Sequence, residues 1–558
     1  MNGGHEEFAI LARPGSSAIL MSMNKEEVPS QSKATGSSAL SPAIRWIIAI
    51  NAVIVILLSL WFLVCPSIRG ALNIRDPALQ RPGIPGSVWR LYRSLTPRYA
   101  TWARTRVAQG QAEGMSINDI SGTEWPLFGS VFYLWAVENL QTAWDAGDRT
   151  VTTEPKVFAR EAIVAASELV IDPRHAAWVK KHWGGDYLHR ENVFYRMLVM
   201  AALTSREKLL HDHAHLDMLR DQVETFAKEL DASKSGLLDD YPGECYPGDV
   251  MAALMCIKRA DAVLDTDHSK FLEKALRGFT GKNATRYGLP PYAASAGTGV
   301  PTSPPRGCAN SYMGLTAPEL WPVQAREWFA LYDRFFWQQR ICAVGYREYP
   351  SGLPHSNWTM DVDAGPVIAG HGVAASTFGV GAARRNGRFD RAYPLAAEML
   401  ATVGELPNGV LIVPRLLSNL SDAPMLGEAA ILWQLSIQPE KGFPLKTGGS
   451  VPPYVYIVLV TIFLLGAWRA LDALWKFKEA WRRPVPEVRA PALQILLWIC
   501  AAGGAIAALS MGHGLIAIVL LLVAVALPVV KRKKRLKGTE GWPDEKSSAG
   551  ATPVSTGS

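Results

Sequence analysis

Three long apolar runs constrain the fold of this chain more than any other feature. Residues 46–65 form a run of about 20 residues without a charged side chain, between Arg45 and Arg69, and this length matches a membrane-spanning helix. Two further runs lie near the C-terminus, and the last is about twice as long as one span and has a Gly-containing turn sequence near its middle. We predict transmembrane helices over residues 43–66 and 453–475 and a transmembrane hairpin over residues 491–530.

Basic residues set the predicted orientation of these spans. The formal net charge is +7, and residues 531–537, directly after the last run, alone contain six Lys or Arg. Because basic flanks stay in the cytoplasm, we predict an integral cell membrane protein whose main domain is extracytoplasmic (periplasmic). The tail over residues 531–558 is then basic, disordered and cytoplasmic. A basic flank of a span does not indicate a nucleic-acid surface, so we expect membrane lipids and no nucleic acid as partners.

The region between the spans, residues 85–440, is predicted to be one helical domain. About a dozen helical apolar patterns are separated by Gly/Pro loops, and strand-like alternation is scarce. Paired helices that close on themselves give an all-α fold, an α/α toroid (six-hairpin barrel) with flanking transmembrane helices. The Gly/Ala-rich stretch 365–376, which contains His371, is typical of an inner helix of such a toroid. Residues 1–42 have no periodicity and are predicted to be a disordered N-terminal tail.

The stretch from Cys245 to Cys256 concentrates reactive side chains at a predicted loop-to-helix junction. Pro247 and Gly248 end the preceding segment, and Asp249 is a good N-cap for the helical pattern that follows. Eleven residues of helix would span about 16 Å, and a disulfide tolerates only about 7 Å between Cα atoms. We therefore expect no disulfide between these two thiols. Asp249 has two interpretations, a helix cap or a residue that contacts substrate.

Other loops carry polar and aromatic residues that could face the same opening of a toroid. Glu124 is a candidate acid/base, or a helix-terminus residue with Thr123 as its cap. Asp361 and Asp363 are candidate substrate ligands, or caps of the next helix, because the remaining ligands of a calcium loop are missing. The sequence offers four more candidate substrate-binding residues: Tyr195, Tyr312, Tyr349 and His371. The alternative for Tyr195 is packing, and the alternative for His371 is a hydrogen-bonded core histidine.

Several common chemistries find no support in the sequence. His211 and His215 share a helical face, but no third ligand is placed beside them, so no metal site is predicted. The chain has no phosphate-cradling Gly loop, no dinucleotide fingerprint and no nucleophile elbow. These absences argue against kinases, nicotinamide enzymes and common hydrolases, and no cofactor is predicted.

The motifs resemble the linalool dehydratase/isomerase family. The resemblance rests on residues 192–195 opening a helix, on residues 245–249 followed by Cys256, and on Glu124 at the head of an early helix. It covers roughly residues 85–440 and implies an α/α barrel that acts outside the cytoplasm. It also implies that Glu124 is the acid and that Cys245 and Cys256 are the thiols around an allylic alcohol. The family's histidine has no counterpart shortly after Tyr195.

The function expected from this resemblance is acid/base dehydration or hydration of an apolar alcohol such as a terpenoid, in a lyase or isomerase. The acid would protonate the leaving hydroxyl, and a thiol would remove a proton from the neighbouring carbon. Two alternatives remain open at this stage. One is a carbohydrate-active enzyme, a glycosidase or epimerase acting through a carboxylate pair on a sugar-like substrate. The other is a non-catalytic envelope protein that binds a lipid or a partner. The sequence does not specify an oligomeric state.

Overall fold

The computed structural model describes residues 40–482 and 492–510, together with Leu520 and Val523. The described residues are mostly helical, which confirms the predicted all-α class at that level. The predicted tail 531–558, nearly all of the tail 1–42 and the turn of the predicted hairpin lie outside the described residues. The chain divides into two compact units, one formed by Ile50–Lys478 and the other by the flanking segments.

The described chain forms nineteen α-helices. Helices α1 to α7 are Leu40–Ser59, Cys65–Ile74, Gly86–Gln109, Ile120–Asp145, Pro155–Phe158, Arg160–Ile171 and Ala177–Trp183. Helices α8 to α13 are Val193–Leu210, Leu216–Ala232, Pro247–Leu264, Ser269–Ala275, Gly307–Leu320 and Pro322–Phe336. Helices α14 to α19 are Val373–Arg385, Phe389–Thr402, Ile412–Leu420, Leu426–Ser436, Pro453–Arg482 and Ala492–Ser510.

Five short strands interrupt the helices between α13 and α14. Strands β1 and β2 (Trp337–Arg340 and Ala343–Tyr346) form an antiparallel hairpin. Strands β3, β4 and β5 (Trp358–Asp361, Gly365–Ile368 and His371–Gly372) form an antiparallel sheet in that order. The two pieces of sheet lie in one connection between helices, and they carry Asp361 and His371.

The inner helix predicted over residues 365–376 is wrong in its first half. Gly365, Ala369 and Gly370 have φ angles of 63°, 52° and 84°, which are incompatible with an α-helix, and Pro366 has no N–H to donate. These residues form β4, a turn and β5, and α14 begins only at Val373. His371 therefore lies on a short strand before the helix rather than on an inner helix.

Among the described residues, two helices are long and apolar enough to cross a bilayer. One is the 30-residue stretch Arg45–Ile74, which passes through α1, a π-helical turn at Leu60–Val64 and α2, and the other is the 30-residue helix Pro453–Arg482. They occupy the positions predicted for the first two spans and extend beyond them. In the larger unit they contact each other closely, because a Cβ on Gly466 would lie 2.7 Å from the Leu63 Cβ. Helix α19 contains a shorter apolar segment, Leu496–Ala508.

Six helices of the larger unit pack in a closed order. Helix α4 contacts α8, α8 contacts α10, α10 contacts α12, α12 contacts α14, α14 contacts α17, and α17 contacts α4 again. Most of the other helices pack against one or two of these six, for example α9 against α8 and α10, and α15 against α14. The six helices are buried around most of their circumference, as expected for helices that have neighbours on several sides.

The six helices run in the same direction, since early residues contact early residues and late residues contact late ones. Phe128 and Glu138 of α4 contact Phe194 and Ser205 of α8 in that order, and Gly307 and Gly314 of α12 lie against Ala375 and Ala382 of α14. Asn139 of α4 donates to the Ser436 hydroxyl of α17 at 3.0 Å, late in both helices, and Gly129 of α4 lies against Leu426 at the start of α17. Near the C-terminal ends of α10 and α12, Arg259 forms a 2.9 Å ion pair with Glu319. The N-terminal ends therefore meet at one side of the group, where the candidate site residues lie.

Candidate active site at the N-terminal ends of the six helices

Glu124 lies in the second turn of α4 and is 8% exposed. The helix begins four residues earlier, at Ile120, where the Asp119 carboxylate accepts the Gly122 N–H at 3.0 Å. Thr123 is therefore not the cap; its hydroxyl donates to the Asp119 carbonyl within the helix at 2.8 Å. Because Glu124 is neither a cap nor a first-turn residue, its burial is not explained by a helix-terminus role.

The environment of Glu124 favours a protonated carboxyl. Its pKa is raised to about 8, chiefly by burial and then by the charges of Asp363 and Asp249, while a hydrogen bond from Tyr241 opposes the rise. The pKa of Tyr241 is also raised, first by its own burial and then by Glu124. Glu124 can therefore carry a proton near neutral pH and release it to a substrate.

Asp249 is the third residue of α10 and is not its N-cap. Pro247 occupies the first helical position, which suits a residue without an N–H, and Tyr246 is the flanking residue. Burial and, to a smaller extent, the charge of Asp363 together raise the pKa of Asp249 to about 7. A helix N-terminus would stabilise a carboxylate, so desolvation outweighs the helix dipole here. Asp249 and Glu124 are therefore two carboxyls whose pKa values lie near neutral pH.

Asp363 lies in the turn between β3 and β4 at the solvent side of these acids. Its carboxylate accepts a hydrogen bond from the Tyr292 hydroxyl, and the Tyr292 ring packs 5.2 Å from that of Tyr246. Asp361 does not cap a helix, since its carboxylate accepts the N–H groups of Asp363 and Ala364 within the turn, at 2.9 and 3.1 Å. The predicted capping role of this Asp pair is therefore wrong, and both residues belong to a β-turn.

Arg306 connects this turn with the start of α12. Its Nε lies 2.7 Å from Glu348 Oε1, its second guanidinium nitrogen lies 3.1 Å from Asp361 Oδ1, and its guanidinium lies 4.3 Å from the Tyr292 ring centroid. The Tyr349 ring is 5.7 Å from the same guanidinium. Burial acts to raise the pKa of Asp361, but the hydrogen bond and the charge of Arg306, together with the N–H groups of Ala364 and Asp363, outweigh it and the pKa falls. Arg306 therefore fixes the turn that positions Asp363.

The two candidate site thiols, Cys245 and Cys256, lie at different depths. Burial raises the pKa of Cys245 well above its ordinary value, and the charges of Asp240, Asp239, Glu191 and Asp249 add to the rise. Cys256 lies deeper along α10 beside Arg259, and burial raises its pKa to about 12. All six cysteines are free thiols: Cys65, Cys245, Cys256, Cys308, Cys342 and Cys500. Near neutral pH both site thiols are protonated, so neither is a base.

Aromatic side chains from four of the six helices meet below the acids. The Phe128 ring lies 5.6 Å from Phe194 and 5.8 Å from Tyr312, and the Phe378 ring lies 5.6 Å from Tyr312. Phe132, one turn beyond Phe128, lies 5.8 Å from Phe378. Glu124, Phe128 and Phe132 are four residues apart on α4 and share one face. The acids therefore stand at the edge of an aromatic surface, which we call the aromatic cluster: Phe128, Phe132, Phe194, Tyr312 and Phe378.

The structure brings together Glu124, Asp249, Asp363 and Tyr312, and it connects Tyr349 and Asp361 to them through Arg306. It does not bring Tyr195 to this place, because the Tyr195 hydroxyl donates to the Val170 carbonyl at 2.9 Å and its ring contacts Trp178 and Tyr187.

His371 lies apart from the acids. Its backbone pairs with Arg347, and neither ring nitrogen has a hydrogen-bond partner among the described residues. Burial and, to a smaller extent, the charges of Arg340 and Arg347 together lower its pKa to about 4. Its imidazole is therefore neutral and contributes no acid near neutral pH.

Four residues of the site were not singled out from the sequence: Asp240, Tyr241, Tyr292 and Arg306. Two of them could have been identified from their position in the chain, since Asp240 and Tyr241 directly precede the Cys245 stretch. Asp240 is buried, its carboxylate accepts the Tyr246 N–H at 2.8 Å, and burial raises its pKa, with a further rise from Asp249. Tyr292 had no such signal, because its partner Asp363 is 71 residues away.

Within residues 40–482 and 492–510, no group of three or more His, Cys, Asp or Glu side chains could hold a metal ion. A cavity of about 570 Å³ lies elsewhere, against α2, Arg90 and Pro407. Comparison with models of known protein families and with curated proteins finds no match to this chain. The acids and the aromatic cluster are therefore interpreted from their own chemistry.

Proposed function

We propose that the protein is a membrane-anchored lyase or isomerase that removes water from, or adds water to, an apolar alcohol by acid/base catalysis. In this proposal the closed order of six helices is the inner wall of an α/α toroid, and helices Arg45–Ile74 and Pro453–Arg482 anchor it in a bilayer. The observation that carries the proposal is the pair Glu124 and Asp249, with pKa values raised to about 8 and about 7 beside an aromatic cluster.

The two carboxyls divide the roles by their pKa values. Glu124 has the higher of the two pKa values, so near neutral pH it is the carboxyl that holds its proton, and Asp249 is the one that ionises first. We therefore assign the acid role to Glu124 and the base role to Asp249. Glu124 donates its proton to the substrate hydroxyl, and the C–O bond breaks as water leaves. Asp249 takes a proton from the neighbouring carbon, and that C–H electron pair forms the double bond. Hydration is the reverse of these steps.

This assignment changes the roles expected from the resemblance to the linalool dehydratase/isomerase family. There the base was a thiol, but burial raises the pKa of both Cys245 and Cys256. A protonated thiol is a weak hydrogen-bond donor, and Cys245 can serve as one near Asp249. We therefore assign the base role to Asp249 and a positioning role to Cys245, while Cys256 belongs to the deeper surroundings of Arg259.

The surroundings of the acids support an apolar substrate over a sugar. A sugar needs hydrogen-bonding groups around several hydroxyls, whereas the rings below Glu124 are those of four phenylalanines and one tyrosine. Such a surface pairs with hydrocarbon, and the acids supply polar contacts for one hydroxyl. The cost of burying several carboxyls also supports a functional site over a purely structural one, because perturbed acids concentrate where chemistry occurs.

The test is product formation by the full chain in detergent micelles, with acyclic terpenoid allylic alcohols and, separately, aryl glycosides as substrates. We expect diene formation from the alcohols, detected by gas chromatography, and a loss of at least about 100-fold in Glu124→Gln and in Asp249→Asn. Glu113→Gln, an exposed acid with the same substitution, is the matched control and keeps full activity. Unchanged activity in both site variants, or cleavage of glycosides instead, would contradict the proposal.

A further inference from the structure

The cavity of about 570 Å³ is separate from the acids and has its own chemistry. It is lined by α2, by the start of α3 and by Pro407, and three of its lining residues are arginines: Arg69, Arg75 and Arg90. Asp76 is the lining carboxylate. A concave surface with three guanidinium groups suits an anion, because guanidinium groups pair with phosphate in a planar, two-pronged geometry.

The carboxylates at this cavity do not cancel its charge. Arg90 donates to both Glu405 oxygens, at 2.6 and 3.1 Å, and to the Asn73 side-chain oxygen at 2.6 Å. Arg69 lies 3.6 Å from Glu405 Oε1, so two arginines share one buried carboxylate and Arg69 is the less engaged of them. The Asp76 carboxylate already accepts the N–H groups of Ala78 and Gly86, at 2.9 and 2.7 Å.

Arg75 supplies the remaining charge. It is exposed, and it forms no ion pair within the described part of the chain. The lining therefore carries an excess of positive charge.

The cavity lies at the end of a helix that can cross a bilayer. The helix Arg45–Ile74 has 30 residues, which is about 45 Å, whereas the hydrocarbon core is about 30 Å thick. Its last turns therefore extend into the headgroup region, and Arg69 lies there. Two lining residues of α2 one turn apart, Ile68 and Leu72, are 46% and 61% exposed, so arginines and apolar side chains meet in the same cavity.

A second apolar surface follows the cavity in the chain. Helix α16 begins at Ile412, shortly after Pro407, and exposes a stripe of apolar side chains on one face: Val413, Leu416, Leu417 and Leu420. A short amphipathic helix of this kind can lie in the plane of a membrane interface with its apolar face in the acyl region. It favours a lipid over a soluble anion as the occupant of the neighbouring cavity.

We propose that this cavity binds the headgroup phosphate of an anionic phospholipid, with an acyl chain against Ile68 and Leu72. The inference rests on the proposed membrane anchoring and is independent of the acid/base chemistry. Arg69, Arg75 and Arg90 contact the phosphate and the anionic headgroup. Zwitterionic lipids carry a compensating cation and bind more weakly. The site ties the catalytic domain to the bilayer surface at the point where the first span ends.

The test is native mass spectrometry of the full chain in micelles that contain phosphatidylglycerol or phosphatidylcholine with the same acyl chains. The variant is the double substitution Arg69→Gln/Arg75→Gln, in which Glu405 keeps Arg90 as its ion partner. We expect retention of phosphatidylglycerol to fall about fivefold for each arginine removed, as expected for cations at a membrane surface. Arg81→Gln, an exposed arginine outside the cavity, is the control and leaves retention unchanged.

Three results would overturn the proposal. They are equal retention of phosphatidylcholine and phosphatidylglycerol, unchanged retention by the double variant, and displacement of the lipid by an equivalent amount of inorganic phosphate, which would identify a site for free anions. Intrinsic tryptophan fluorescence of each variant confirms that the fold is retained. Because the acids are not altered, loss of lipid with intact catalysis separates this proposal from the one on function.

Discussion

Replacing Glu124 by Gln should remove a pH-dependent cost that the folded protein carries. The folded-state pKa of Glu124 is raised from 4.5 to about 8, chiefly by burial. A raised pKa means that the folded state holds the proton more tightly than the unfolded state does. The stabilisation is therefore fully present below about pH 4.5 and is lost as the pH rises to about 8. The difference corresponds to at most about 5 kcal/mol of unfolding free energy.

The glutamine variant stays neutral over this whole range. It keeps an oxygen that can accept the Tyr241 hydrogen bond, so the two proteins should be similarly stable at about pH 5, where both groups are neutral. At about pH 9 the variant should be more stable than the wild type by about 2–5 kcal/mol. The assay is urea unfolding of the full chain in detergent micelles, followed by tryptophan fluorescence at several pH values.

A control variant tests whether the pH effect comes from the buried Glu124 carboxyl. Glu113 is exposed, so Glu113→Gln should leave the pH dependence of the unfolding free energy unchanged. Parallel pH dependences for the wild type and Glu124→Gln would refute the reasoning, because they would mean that the Glu124 carboxyl is not desolvated in the folded state.

Three further predictions follow from other parts of the structure. Arg306→Lys should destabilise the protein by about 2 kcal/mol in urea unfolding, because lysine cannot bridge Glu348 and the β-turn at once; an unchanged midpoint would contradict this. Lowering the pH from about 6.5 to about 4 should destabilise the wild type more than His371→Gln, since a folded-state pKa below the ordinary value costs stability as the histidine becomes protonated; equal losses in urea unfolding would contradict it. Cys342, exposed between β1 and β2, should react with a membrane-impermeant maleimide added outside intact cells. Cys342→Ser should abolish this labelling, and labelling only after lysis would reverse the proposed orientation.

The long apolar helices and the helical class of the chain were predictable, because one sequence pattern dominates in each case. The apolar runs at 46–65 and 454–468 contain no charged residue, and helices form there because each residue satisfies its backbone groups within the helix. Their ends were less predictable. The first helix continues through Arg69 to Ile74, because α2 also packs on α15 of the larger unit. The helical class of residues 85–440 followed from 3.6-residue periodicity in the same way.

The sequence did not show which residue begins α10, because two residues could each take that position. Asp249 was a plausible cap, but Pro247 two residues earlier starts the helix equally well, and the structure uses Pro247. The strands between α13 and α14 were missed because each has at most four residues, too short for alternation to be distinguished from a loop.

The properties of the site depend on residues far apart in the chain. The sequence singled out Glu124 and Asp249 as acids, but their raised pKa values come from burial and from Asp363, more than 100 residues further on. Likewise, the hydrogen bond between Tyr241 and Glu124 joins two segments without any shared motif. The identities of the acids were therefore predictable, whereas their protonation and the assignment of acid and base required the fold.

The most direct test of the acid/base account is the pH dependence of kcat/KM for dehydration of an apolar allylic alcohol. We predict a bell-shaped profile whose limbs have apparent pKa values near 7 and 8, set by the pair Asp249 and Glu124. Asp249→Asn should remove the acidic limb along with most of the rate, and Glu124→Gln the alkaline limb. A profile with no limb near either value, or one that both variants leave intact, would contradict the account.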